Sequence, residues 1–258
     1  MALDGDLHFE RGGPRGARTL LLVHAMGADH AFWADCRAVW ERDFDCIAID
    51  QRGAGRSPAS VTPLSPSDHG RDLAAFCARH GLGPVVAIGC AVGAMATACF
   101  AGANPGAVEA LVLSNPGYRI AEGVRGALTA RADAARAGGM RAIIPAATDA
   151  AFEGQPDDER KRAYVERFAS QDPQAYALQI EGMLGADISG DVARIACPTL
   201  IVAGGMDRLL PAAHAEAVHA AMPGSKLVRF EDGAHFIPYQ QPARFAREVV
   251  AFLAETGQ

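Results

Sequence analysis

The sequence predicts an α/β protein with a mostly parallel central sheet flanked by helices and a helical cap insertion. Three observations carry this. Short apolar runs of strand length recur at 19–24, 44–50, 84–89, 110–114, 199–203 and 226–230. Segments with helical spacing of apolar residues separate them, an alternation that builds βαβ units. Strand signals vanish between about 120 and 190, where alanine, arginine and acidic residues dominate at helical spacing.

Taken in order, residues 6–10 read as a short edge strand closed by the turn residues Gly12, Gly13 and Pro14. The buried strand 19–24 runs into the turn His24-Ala25-Met26-Gly27. Residues 31–42 carry Phe32, Cys36, Val39 and Trp40 on one helical side. Strand 44–50 leads into a glycine-rich loop, Gln51 to Pro58. A helix over 68–80 turns Leu73, Phe76 and Cys77 inward and stops at Gly81. Strand 84–89 is followed by a small-residue helix from 92 to about 103, then strand 110–114. Four helices are expected at 123–138, 140–150, 157–169 and 173–185. The sheet resumes at 199–203, with a helix at 212–221, a last strand at 226–230 and a closing helix at 241–255. This divides the chain into a core of 1–119 and 191–258 and a cap of 120–190.

Composition bounds the function. The chain has 258 residues, enough for a sizeable core, with 50% hydrophobic and 21% charged residues. The net charge is −6 and no basic run is present to follow a phosphate backbone, so nucleic acid is not an expected partner. No stretch of 18 apolar residues occurs, and the first ten residues hold three acidic groups and no apolar signal core, so neither a membrane partner nor export is expected. The expected location is cytoplasmic. The six cysteines form no Cys-x-x-Cys pair and no zinc spacing with histidine, which predicts reduced thiols, no metal and no cofactor.

The chemistry centres on Val85 to Met95. Gly89 and Gly93 flank a turn between a buried strand and a helix, at the spacing of a nucleophile elbow, which lifts one side chain above the sheet. The central residue is Ala91, whose methyl group cannot attack a substrate.

Together with the elbow, the strings Thr19 to Gly27, Asp50 to Ser57, Gly204-Gly205-Met206-Asp207 and Gly233-Ala234-His235 stand in the order typical of the α/β-hydrolase superfamily, which the chain resembles along nearly its whole length. Within it the chain looks most like 3-oxoadipate enol-lactonases and related carboxylic-ester hydrolases. The pointers are Met26-Gly27-Ala28-Asp29 with Trp33 beyond, Gly89-Cys90, Ser114-Asn115-Pro116 and the short helical cap.

The resemblance implies a cofactor-free hydrolase of a small ester or lactone. Such chemistry needs a nucleophile, a base and a group that orients the base. Position 91, His235 and Asp207 match those roles in the fold's chain order of nucleophile, acid and histidine. The backbone N–H groups of Met26 and Val92 are the implied oxyanion donors. Trp33 and Arg119 are candidates for touching substrate, with an exposed salt bridge as the other reading of Arg119. His24 matches a structural histidine, Asp50, Arg52 and Ser57 match loop architecture, and His30, His69, His80, His214 and His219 are expected to be solvated.

Ala91 departs from the pattern. It is open to three explanations: a serine enzyme with its nucleophile replaced, a native alanine in a lyase, binding or regulatory protein, or displacement of the nucleophile to Cys90. The expected partner is a small-molecule ester or lactone, and self-association into a homo-oligomer is left open.

Overall fold

The computed structural model describes residues 5–257. Its seven strands are β1 (Phe9–Gly12), β2 (Thr19–Val23), β3 (Asp45–Ile49), β4 (Val85–Cys90), β5 (Val108–Ser114), β6 (Thr199–Gly204) and β7 (Lys226–Phe230). The helices are α1 (Ala34–Trp40), α2 (Pro66–Arg79), α3 (Val92–Ala103), α4 (Arg125–Gly138), α5 (Ala146–Ala151), α6 (Glu159–Ala169), α7 (Pro173–Met183), α8 (Ser189–Val192), α9 (Ala213–Ala221), α10 (Ile237–Gln240) and α11 (Pro242–Thr256).

The strands lie in the order β1-β3-β2-β4-β5-β6-β7, parallel throughout except for β1, which runs antiparallel at the edge beside β3. Strands β3, β4 and β6 are buried at every position, as parallel strands must be when helices cover both faces. Two apolar clusters fill the two faces. One joins Trp33, Trp40, Phe230 and Phe245 to the helices between β5 and β6; the other packs Phe76, Met95, Phe100 and Val218 against the opposite face.

After β3 the chain passes over β2 to place β4 on its other side. The connections leaving β2 and β4 therefore diverge, and a crevice opens at the carboxyl ends of these two strands. The turn Ala25-Met26-Gly27 and the elbow at Ala91 sit at that crevice, one after each strand. Contact across it is close. A Cβ on Gly93 would strike the backbone oxygens of Val23 and His24, and one on Gly89 would strike the backbone of Gly93. The glycine spacing is thus a packing requirement between the elbow and β2.

Three elements differ from the sequence reading, one of them in the cap, where the helix expected over 140–150 splits into a 3-10 turn, Met140–Ala142, and α5. The edge strand begins at Phe9, because the Asp6 carboxylate accepts from the Leu7 N–H at 2.9 Å and turns the chain there. The helix expected from residue 31 opens as a 3-10 turn, His30–Trp33, capped by Asp29 through the Ala31 N–H, before α1 starts. Among the described residues no helix is long and apolar enough to cross a membrane.

Replacing Gly93 by alanine drives a methyl into carbonyl groups that cannot yield. The expected loss is about 2–3 kcal/mol, the scale of an overpacked core. It should be read as a lower urea midpoint with an unchanged denaturant slope.

Candidate active site

The elbow residue itself shows the strain of its turn. Ala91 has φ 51° and ψ −112°, a conformation that a residue with a Cβ rarely adopts. Its own N–H donates to the Ser114 carbonyl on β5 at 2.9 Å, and its carbonyl accepts from Met95 at 3.1 Å. The turn is pinned from both sides, and α3 starts at the next residue.

No side chain caps α3. The Val92 N–H, first in the helix, has no acceptor among the described residues, and neither has the Met26 N–H across the crevice. Both residues are only half-buried. Two unpaired donors beside the positive end of a helix form a site that favours negative charge.

The loop that carries Met26 is held by His24. The buried imidazole donates through Nδ1 to the Ala25 carbonyl at 2.8 Å and accepts at Nε2 from the Gln51 N–H at 3.0 Å. Burial pushes its pKa down, which keeps the ring neutral and suits one donated and one accepted bond. Below it, Arg52 makes a two-pronged buried pair with Asp72 at 2.8 and 2.6 Å. Asp50 and Ser57 tie the same loop, with Ser57 donating to the Asp50 carbonyl at 2.5 Å. His24, Asp50, Arg52 and Ser57 are therefore loop architecture, as the sequence reading has them.

Asp207 follows β6 and His235 follows β7, and the two meet. His235 Nδ1 lies 2.8 Å from Asp207 Oδ2. The Asp207 side chain is fully enclosed. Its Oδ1 accepts from the Leu209 and Leu210 N–H groups at 2.8 and 2.9 Å, and its Oδ2 also accepts from Asn115 Nδ2 at 2.6 Å. Burial is the largest influence and opposes its charge. The His235 ring, the Leu210 N–H and Asn115 together outweigh it and hold the carboxyl below its ordinary value. A charged carboxylate on Nδ1 leaves Nε2 of His235 as the ring nitrogen outside that bond.

Asn115 is the member of this network that residue-by-residue reading missed. Its backbone is left-handed, φ 48°, and its amide bridges Asp207 and the Ala234 carbonyl at 3.2 Å. The available signal was an asparagine directly after a buried strand and before a proline.

Three sequence expectations are corrected, and the displaced-nucleophile explanation loses its support. Trp33 is wholly buried, with its ring among Phe32, Trp40 and Phe245, so it is a core residue and not a wall open to substrate. Phe32 beside it is the residue that faces Phe236 and Tyr239. Arg119 is exposed and pairs with Asp187 at 2.6 Å, so the surface salt bridge holds and not a reach toward substrate. Cys90 is buried beneath His235, with its thiol 3.7 Å from the His235 carbonyl. Burial and the nearby Asp207 charge push its pKa up, the opposite of an activated nucleophile. His69 is not solvated: it is buried on α2, and burial lowers its pKa to about 4. The other expected surface histidines are tied by hydrogen bonds, His80 to Asp6, His30 to Asp50, His214 to the Tyr118 N–H and His219 to Ser225.

An aromatic cover closes the site. Phe236, adjacent to His235, packs against Phe32, Phe152 and Tyr164. Phe168 and Tyr176, from α6 and α7, lie so close over Gly27 that a Cβ there would meet both rings.

The sequence profile described as serine aminopeptidase, S33, matches residues 15–240. The chain belongs to the S33 serine aminopeptidase family of α/β hydrolases. A relative from Klebsiella pneumoniae (strain 342), named putative carbamate hydrolase RutD, is 28% identical over 234 residues, covering 85% of each chain. The protein of the same name from Escherichia coli O157:H7 is 27% identical over 248 residues, covering 89% of this chain and 88% of its own. The enol-lactonase from Burkholderia xenovorans LB400 superposes with a TM-score of 0.87 at 23% identity, covering 96% of both chains. A thermophilic esterase from Thermogutta terrifontis gives the same TM-score and identity over 98% of this chain and 94% of its own. These two structures establish the shared fold. This S33 member is a hydrolase of α/β type by family and architecture, with an alanine in the elbow.

Asp207 gives a pH signature. A folded-state pKa below the ordinary 3.8 contributes stability that is present above that value and is lost as pH falls through the folded pKa. Asp207→Asn should therefore cost about 1–3 kcal/mol at pH 7. Its urea midpoint should converge with that of the parent only below pH 3.8.

Proposed function

We propose that this scaffold hydrolyses a small ester or lactone, with residue 91 as the nucleophile position, His235 as general base and acid, Asp207 as its orienting carboxylate, and the Met26 and Val92 N–H groups as oxyanion donors. The observation that carries the reading is the His235–Asp207 contact of 2.8 Å, formed at the end of the sheet where Ala91 holds an elbow conformation. Residues 120–190 act as the cap that selects the acyl and leaving groups. Two relatives are named as putative carbamate hydrolases, which adds carbamates to the acyl compounds worth testing.

With serine at 91, attack of its oxygen on the carbonyl carbon would send its proton to His235 Nε2. Collapse of the tetrahedral intermediate would return that proton to the leaving alkoxide, and water would then release the acyl group by the same two transfers. The present chain lacks that route. With a methyl at 91, the acceleration that remains comes from binding and the oxyanion donors, with His235 taking a proton from water. Loss of a nucleophile in comparable triads costs on the order of 10⁶ in kcat.

A cleft of about 440 Å³ lies between α1 and α6, walled by Phe32, Asp35, Arg160, Arg167 and Tyr239, and Ala91, Asp207 and His235 are not among its lining residues. Phe32 and Tyr239 also belong to the aromatic cluster around Phe236, the neighbour of His235. A closed aromatic cover favours compact, planar substrates over long polar chains.

A second reading rests on Ala91 itself: a non-hydrolytic member that binds a ligand, or eliminates from it, with His235 alone. One pair of variants separates the two. Ala91→Ser should raise kcat on short p-nitrophenyl esters or small lactones by about 10³-fold or more over the parent, and His235→Gln should abolish the gain. No gain in Ala91→Ser, with ligand binding that depends on His235, would favour the second reading.

A further inference from the structure

A second cluster of chemistry-bearing side chains lies away from the elbow. His8, just before β1, His30, in the turn after the Met26 loop, and Asp50, at the end of β3, bring one ligand atom each to within 4.8 Å of one another. Asp50 is fully enclosed, and His8 and His30 are largely buried, with side chains 24% and 13% exposed. His8 Nδ1 is 3.0 Å from Asp50 Oδ2, and His30 Nδ1 is 2.8 Å from Asp50 Oδ1. The two imidazoles are 5.0 Å apart between centroids.

We propose that His8, His30 and Asp50 form a binding site for a zinc-class divalent cation that ties the β1 edge to the loop carrying Met26. A tetrahedral ion with bonds of ~2.0–2.1 Å sets its ligand atoms ~3.3 Å apart. The two nitrogen–oxygen separations, made to opposite oxygens of the Asp50 carboxylate, are each a few tenths of an ångström shorter than this, and the three ligand atoms lie within 4.8 Å of one another. Two imidazoles and one carboxylate are the donor set of zinc and its late first-row neighbours, not of magnesium or calcium, and water completes the fourth position.

The surroundings support a metal ligand set. His30 Nε2, on the far side of the ring from Asp50, lies 3.2 Å from Glu10 Oε1. A ligating histidine characteristically donates its other N–H to a carboxylate in this way. The Asp50 carboxylate accepts from the backbone N–H groups of Arg56 and His30. Those N–H bonds, 2.9 Å from Arg56 and 2.6 Å from His30, fix the carboxylate without occupying every lone pair. On binding, the cation takes the place of the Nδ1 protons, and the ring of His30 keeps its proton on Nε2 facing Glu10. Arg37 and Arg56 also pair with Glu10, so the carboxylates of Asp50 and Glu10 already face two guanidinium groups and a bound dication adds positive charge.

The zinc spacing sought in sequence involves cysteines and near neighbours. Here the three ligands are 20 to 42 residues apart and meet through the pairing of β1 with β3 and the docking of the His30 turn onto Asp50.

The test is a Zn²⁺ titration of the full chain by calorimetry at pH 7.5. It uses a Cys197→Ser background, because Cys197 is the thiol that is not buried. One equivalent is expected to bind, and a ~100-fold excess over Kd should raise Tm by roughly 5 °C. His8→Gln and His30→Gln, which keep a donor for Asp50, should each weaken binding at least tenfold, and Glu10→Gln by about tenfold. Tm measured without metal shows whether each variant is folded. Absence of a one-equivalent site in the parent, or undiminished affinity in folded His8→Gln and His30→Gln, overturns the proposal.

Discussion

The architecture of the site depends on one close approach. Gly93, at the start of α3, lies against the carbonyl groups of Val23 and His24 at the end of β2, with no room for a side chain between them. This contact brings together two turns that the sheet topology would otherwise leave facing across an open crevice. Met26 lies in the first of these turns and Val92 begins the helix after the second. The contact also forces the chain at Ala91 through a left-handed conformation, which raises the residue at that position out of the strand. A serine, cysteine or alanine there occupies the same place. The strain belongs to the turn and not to the side chain.

The second half of the site is built differently. Asp207 and His235 come from loops after the two last strands and are secured by hydrogen bonds. Enclosure of the Asp207 carboxylate is tolerable because Leu209, Leu210, Asn115 and His235 all point donors at it. Asn115 reaches it from the end of β5, the strand beside the elbow strand, so the acid is referenced to the sheet edge that carries Ala91. A charged carboxylate in that position orients the imidazole whether or not a nucleophile is present. In the function proposed here, this pair would move a proton that the methyl group of Ala91 does not carry.

The layered core was readable in the sequence because its determinants are local. Continuous apolar runs such as Val85 to Cys90 mark strands covered on both sides, and the Gly89/Gly93 spacing marks the elbow without knowledge of the fold. The Asp207–His235 partnership was visible only through the order of motifs, since 28 residues separate the two. What escaped was set by distant packing. Trp33 follows the Met26 loop closely in sequence, yet the adjacent rings of Trp40 and Phe245 draw it into the core. For Arg119 the exposed salt bridge was readable, but its partner, Asp187 from the far end of the helical segment, was not. The burial of His69 and the junction of His8, His30 and Asp50 likewise depend on which elements pack together, and no spacing rule reports that.

The central claim is that an imidazole steered by Asp207 addresses the side chain at position 91. Active-site phosphonylation tests it most directly, because a fluorophosphonate modifies a serine efficiently only when a base withdraws the hydroxyl proton and oxyanion donors receive the phosphoryl oxygen. Intact-mass and peptide analysis of Ala91→Ser treated with such a reagent should show one adduct on residue 91, absent from the parent chain and lost when His235 is also changed to Gln. A folded Ala91→Ser protein that takes up no reagent, or takes it up equally well without His235, would contradict the account.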